Sequence, residues 1–287
     1  MIGWNRIMFD TLGWFRAGRL ALTVVALLAV SMARTGVRET TYTVGRRARI
    51  SITNCCGPIT VKPAGSRLVV AKTLSHSEEI DFVNEQRGDR VKLRSESNRQ
   101  GDDLAEYTVL VPADAIVTLR SANGMIDVEG LRGDVIVEAM TASVHIDNIS
   151  GAHLHVRTLS GPITLANIGR CHVDVGSVSG NVDLHNVSES SVKVNSGTGR
   201  IAYQGDPGSD GDYLLTTYSG DLDLSIPARA VVDVKSRSMN SELNQGKSIS
   251  SGVSEAGTGN HLLKSRTIGI PRFVLRTFRG RIGLKRP

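Results

Sequence analysis

Histidines and cysteines are the residues of this chain best suited to metal binding or nucleophilic chemistry, and it carries seven of the first and three of the second. His153 and His172 stand 19 residues apart, a spacing that recurs along the sequence. If the repeats stack, the two backbones lie about 5 Å apart. Two imidazoles could begin a zinc or copper site. The next copy, however, offers Ser191 where a third ligand is needed, so a solvated pair on an exposed face is the simpler reading. Cys55 and Cys56 are neighbours, and Cys171 is far along the chain. A vicinal disulfide is strained, and an odd total leaves one thiol free or paired elsewhere. Cys171 aligns with Ala152 and Ser190, which makes it a small filler residue. The repeat places no histidine and acid beside a cysteine, as nucleophilic catalysis would require.

Acids for glycan cleavage must come in pairs beside a groove. Asp127, Asp183 and Asp223 share one column of the repeat, but Thr164 and Ala202 interrupt it, so these carboxylates stand two or more copies apart. Both tryptophans, Trp4 and Trp14, precede residue 34, which leaves few stacking platforms for a sugar. The Gly-Gly-x-Gly-x-Asp repeats of calcium-binding solenoids are missing. Asn148-Ile149-Ser150 and Asn186-Val187-Ser188 match a glycosylation acceptor, a tripeptide common by chance. No catalytic, cofactor-binding or metal residue is assigned, and no cofactor is expected.

The elements behind these positions are repeats. VRTLSGPITL (from Val156), VGSVSGNVDL (from Val175), VNSGTGRIAY (from Val194) and LTTYSGDLDL (from Leu215) share one pattern. LRSANGMIDV (from Leu119), VEAMTASVHI (from Val137, with Ala142 at the glycine position), LRTFRGRIGL (from Leu275) and ITNCCGPITV (from Ile52) fit it too. Weaker copies begin at Val234 and Ser254, and from 119 to 275 the copies start 18 to 21 residues apart. Apolar-polar-apolar triplets read as short strands with one buried face. One copy cannot bury that face alone, so successive copies must stack. No helical pattern separates the strands, which excludes a doubly wound sheet. The fold class expected is therefore all-β: a parallel β-solenoid of roughly 19-residue coils, each stacked on the last. Its interior column is expected to be Ile126, Ile146, Leu165, Leu184, Tyr203 and Leu224, beside Val144, Ile163, Val182, Ile201 and Leu222. The glycine marks a bend that needs a positive φ or close backbone approach.

Three domains follow: 1–33 as a leader, 34–118 as an N-terminal β cap, and 119–287 as solenoid repeats with a Ser/Gly-rich loop at 240–260. The cap reads as a flatter, partly antiparallel sheet, with SEEIDFVNEQRGD as a connection holding one turn of helix. In the leader, Leu20 to Ala33 is an apolar run of 14 residues preceded by Arg6, Arg16 and Arg19. As a helix it is short for a membrane span and suits a signal-peptide core. Cleavage after Ala33 is expected, with an uncleaved anchor as the competing reading because Trp4, Phe9, Trp14 and Phe15 favour a membrane interface. Either way the rest of the chain lies outside the cytoplasm: periplasmic, at the cell surface, or held by the N-terminal segment. From Ala256 onward there are eight basic residues and no acid. That end could meet an anionic membrane surface, or could simply protect an exposed strand edge. Nucleic acid is not an expected partner, since no recognition motif is present.

The Ser160-Gly161-Pro162-Ile163-Thr164-Leu165, Ser179-Gly180-Asn181-Val182-Asp183-Leu184 and Ser219-Gly220-Asp221-Leu222-Asp223-Leu224 units resemble those of a known family. Together with Gly57-Pro58-Ile59-Thr60-Val61, they look like the bacterial β-strand-repeat adhesin candidates, envelope proteins with head-GIN-type adhesin domains. The resemblance spans roughly Ile50 to Leu284 and implies a secreted or membrane-attached β-solenoid, with no catalytic residues to carry over. The function expected is a non-catalytic, exported cell-envelope solenoid that binds an envelope protein or polymer. The alternatives are a membrane-tethered regulatory or structural component, or a polysaccharide-active β-helix enzyme.

Overall fold

Alternating apolar and polar residues, broken every few positions by glycine, serine or asparagine, give short strands rather than helices. The computed structural model describes residues 36–77, 80–97, 104–238 and 269–287, and no helix occurs among them. The expected leader and the 240–260 loop lie outside these residues. The first strands are β1 (Gly36–Thr43), β2 (Arg49–Cys56), β3 (Ile59–Ala64), β4 (Leu68–Ser75), β5 (Ile80–Arg87), β6 (Arg90–Ser97) and β7 (Ala105–Pro112). The middle holds β8 (Ile116–Asn123), β9 (Met125–Glu129), β10 (Val135–Ala139), β11 (Ser143–Ser150), β12 (His153–Thr158) and β13 (Ile163–Gly169). It continues with β14 (His172–Ser177), β15 (Val182–Ser188), β16 (Ser191–Ser196), β17 (Ile201–Gln204), β18 (Asp212–Thr217) and β19 (Leu222–Ser225). The chain closes with β20 (Asp233–Ser238), β21 (Arg272–Thr277) and β22 (Ile282–Lys285).

Each coil contributes one strand to each of two sheets, so the solenoid has two strands per turn. One sheet runs β1-β4-β7-β3-β9-β11-β13-β15-β17-β19-β22, and the other β20-β21-β18-β16-β14-β12-β10-β8-β2-β6-β5. From β8 to β19 every pairing is parallel, in the register the sequence spacing gives: Val135 beside Leu154, Leu154 beside Val173, Val173 beside Val192. The inward-facing residues form one continuous core between the sheets.

Both interior columns are buried as expected, with one correction. Ile126 pairs with Val144, and Val128 pairs with Ile146, so Val128 heads the column that Ile126 was expected to lead. The two positions are two residues apart on one strand and face the same side, so either assignment buries both.

At residues 36–118 the strands β2, β3, β6 and β7 join the two sheets in parallel, while β1, β4 and β5 pair antiparallel. The segment expected to hold a turn of helix is strand β5. It folds back on β6 through the two-residue turn Gly88-Asp89, and Gly88 takes a left-handed φ of 58°. Its charges mislead because an edge strand carries charge on its open side.

Neither end keeps chain order. β2 lies between β6 and β8, and β3 between β7 and β9. At the other end β21 slots between β18 and β20, which leaves β20 and β22 as the outer strands.

Candidate functional site

The recurring turn Ser/Thr-x-x-Gly has a structural cause. Its first residue points inward and is buried: Ser121, Thr158, Ser177, Ser196, Thr217 and Thr277. The hydroxyl accepts the N–H of the glycine three residues on, at 2.8 Å for Ser177 and Gly180 and 2.9 Å for Ser196 and Gly199. Two of the threonines also donate to the rung before: Thr217 Oγ1 to Gly199 O and Thr277 Oγ1 to Gly220 O, both 3.2 Å. The hydroxyls therefore fix their own turns, and those of Thr217, Thr277 and Thr158 (the last 3.3 Å from Ser177 Oγ) also tie one rung to the next. The glycine is required by close approach: a methyl group on Gly161 would collide with the carbonyl of Ala142, and one on Gly180 with that of Gly161.

With the first residue inward, the second must point out. That column reads Cys55, Ala122, Met140, Leu159, Val178, Gly197, Tyr218 and Phe278. Met140, Leu159, Val178 and Tyr218 are 48 to 56% exposed and Phe278 is 39% exposed. Exposed aliphatic side chains on the adjacent rungs of Met140, Leu159 and Val178, and aromatic ones on those of Tyr218 and Phe278, make an apolar ridge along one edge of the solenoid, interrupted at Gly197. The turns are laddered too: Leu159 N–H donates to Met140 O at 3.1 Å, Thr198 N–H to Val178 O at 3.0 Å, and Arg279 N–H to Tyr218 O at 2.9 Å. The ridge therefore sits on fixed backbone. At its C-terminal end the rings of Tyr218 and Phe278 stack 5.0 Å apart, and the Arg279 guanidinium lies against both.

Beside the ridge runs an open groove of about 550 Å³, whose lining includes Cys55, Met140 and Leu159 together with Arg94, Arg120 and Arg157. Arg120 meets Glu138 at 2.7 Å, and Arg157 meets Asp174 at 2.8 Å. These hydrogen bonds hold both carboxyls below their ordinary range.

The register brings His153 and His172 together, with ring centroids 5.8 Å apart, and His153 Nδ1 lies 3.2 Å from Asp134. Among the described residues, no three His, Cys, Asp or Glu side chains gather as metal ligands. Asp127, His145, Thr164, Asp183, Ala202 and Asp223 follow one another rung by rung, so no two of those acids are adjacent. Asp223 is paired with Arg200 at 2.7 Å. Cys171 is buried with its sulfur 3.3 Å from Gly169 O, and burial pushes its thiol up. Asn148, Asn167 and Asn186 share a corner where φ is 53 to 54°, and Asn186 donates to Asn167 at 3.2 Å. Two of these belong to the glycosylation tripeptides, and the corner alone accounts for asparagine there. The ridge was missed from sequence, although the second position of each turn is apolar in most copies.

Residues 48–266 match the profile of the Toastrack DUF4097 family. No curated protein matches the chain. Among solved structures, a candidate cell adhesion protein from Clostridium sporogenes is 10% identical, covering 88% of this chain and 100% of its own, with a TM-score of 0.31. A candidate adhesin from Bacteroides fragilis is 10% identical, with coverage of 88% and 98% and a TM-score of 0.37. Another from Parabacteroides distasonis is 9% identical, with coverage of 87% and 97% and a TM-score of 0.35.

Proposed function

The chain belongs to the Toastrack DUF4097 family, and from that premise we propose that it is a non-catalytic interaction module of the cell envelope, docking a protein partner along its turn ridge. The observation that carries this reading is the column Met140, Leu159, Val178, Tyr218 and Phe278, exposed on rungs that are themselves rigid. A row of apolar side chains suits a partner with apolar side chains of its own, more than a hydroxyl-rich glycan polymer, which needs polar groups to hydrogen-bond. Binding is by several modest contacts spaced about 4.8 Å apart. Location outside the cytoplasm rests on the apolar run before Ala33 and its preceding arginines.

The ridge is favoured over the basic C-terminal end because part of that charge is engaged within the fold. Arg281 pairs with Asp221 at 3.3 Å, and Arg279 packs on two rings. The test is photo-crosslinking in cells from a residue placed at 159, with a matching residue at 164 on the other sheet as control. Capture of one protein from 159 alone, lost when Met140 and Val178 are both changed to Asp, supports the reading. Equal capture from both positions, or none from 159, overturns it. Sequencing the mature N-terminus separately tests export: a terminus at Arg34 means cleavage, and retention of Met1 means a tether.

A further inference from the structure

The first copy of the turn departs from all the others in its chemistry. It reads Asn54-Cys55-Cys56-Gly57. Asn54 takes the inward place of the serine, donating to Gly57 O at 3.2 Å and Ala105 O at 2.7 Å and accepting from Ser95 Oγ at 2.6 Å. Gly57 adopts φ 111°, and a side chain there would strike Ala105. The backbone is thus held from both sides. Consecutive residues of a strand point to opposite faces. Here the strand ends in the turn, and the two sulfurs come to 3.5 Å on one side.

Direct oxidation of this pair is disfavoured. Consecutive Cα atoms lie about 3.8 Å apart, below the roughly 4.4–6.8 Å that an unstrained disulfide spans. The same spacing suits one atom held between two sulfurs. With metal–sulfur bonds of about 2.3 Å, sulfurs 3.5 Å apart subtend roughly 100° at that atom. This angle fits a pyramidal or tetrahedral soft centre and not a linear one. No third His, Cys, Asp or Glu joins the pair among the described residues, and a centre that carries its own remaining bonds asks for none. Cys55 is exposed and opens onto the groove. Cys171 is buried at the opposite edge of the coil and cannot contribute.

We propose that Cys55 and Cys56 form a bidentate dithiol site for a trivalent organoarsenical or a soft metalloid of the same class. The proposal goes beyond the ridge reading and does not depend on it. The reaction is a condensation: an arsenic–oxygen double bond and two S–H bonds break, two As–S bonds form, and the two protons leave with the oxygen as water. Nothing is oxidised or reduced.

The test uses the full chain, reduced beforehand, and phenylarsine oxide. Intact mass is expected to show one phenylarsenic adduct with two thiols consumed. An excess of a small dithiol should reverse it, and an equal excess of a monothiol should not. C55S and C56S, each checked for retained β signal by circular dichroism, should both bind about 100-fold more weakly, since the second sulfur acts at high effective concentration. C171S should bind as the unaltered chain does. Undiminished binding by C55S or C56S, loss of binding in C171S, or no adduct on the reduced chain overturns the proposal.

Discussion

Between β8 and β19 the rungs follow the chain, and each repeats the one before in nearly the same small residues. The two ends behave differently. There the order is broken, β2 and β3 are each held between strands that are not their neighbours in the chain, β21 is held between β18 and β20, and bulk replaces repetition. At the C-terminal end Tyr203, Tyr213 and Phe273 form a buried aromatic cluster: the Tyr213 and Phe273 rings stack 4.3 Å apart, and Tyr203 meets both edge-on. The two tyrosines donate to Val187 O at 2.7 and 2.9 Å, and burial pushes both phenols up. At the N-terminal end Phe82 packs edge-on against Tyr107 at 5.8 Å. A stacked rung in the middle has a neighbour on both sides by default; an end rung must be given one. Placing β2 and β3 inside β6 and β7, and β21 inside β20, does this for those strands, and aromatic side chains pack at both ends.

The contrast can be broken most severely at the ends. Phe273→Ala should cost about 4 kcal/mol. Hydrogen exchange should show protection lost from β18 and β20–β22 while β8–β14 keep theirs, because rungs couple mainly to their neighbours. Uniform loss would mean that the whole array unfolds as one unit. In the middle, Gly161→Ala should cost about 3 kcal/mol, since the new methyl meets a backbone carbonyl that cannot rotate away. Gly65→Ala, which meets nothing, is the control in urea denaturation. Next comes Ser177→Ala, which strands the buried Gly180 N–H at about 1–2 kcal/mol. The smallest effect lies on the surface. Arg157 lowers the folded pKa of Asp174 from its ordinary value of 3.8, so the stabilisation is complete above that value and is lost as pH falls through the folded pKa. Asp174→Asn should remove that acid-side loss, and with both groups part-exposed its size should stay below about 1 kcal/mol.

The middle was legible because period-two strands and a fixed spacing set both register and facing, so that Leu165, Leu184 and Leu224 could be placed in the core from the sequence. What escaped has a common physical cause. Periodicity tells which residues align but not which copy sits beside which. Val234 and Phe273 are equally good neighbours for Tyr213, and the choice of Phe273 depends on packing in an aromatic cluster that joins the consecutive strands β17 and β18 to the distant β21. β5 escaped because its outward charges hide a short alternation of Ile80 and Phe82. The apolar ridge was visible in principle, since an inward hydroxyl at each turn dictates an outward neighbour. Reading the turn as generic loop concealed it.

The crossed order at the front of the molecule also bears on how the protein is made. β2 has no partner until residues 90–97 exist and gains its second only with 116–123, and β3 must wait for 105–112 and then 125–129. A ribosome delivers the N-terminus first. Throughout that delay Ile50, Ile52, Ile59 and Val61 have no interior to enter, and the nascent segment is a natural client for a chaperone that grips bare aliphatic chain.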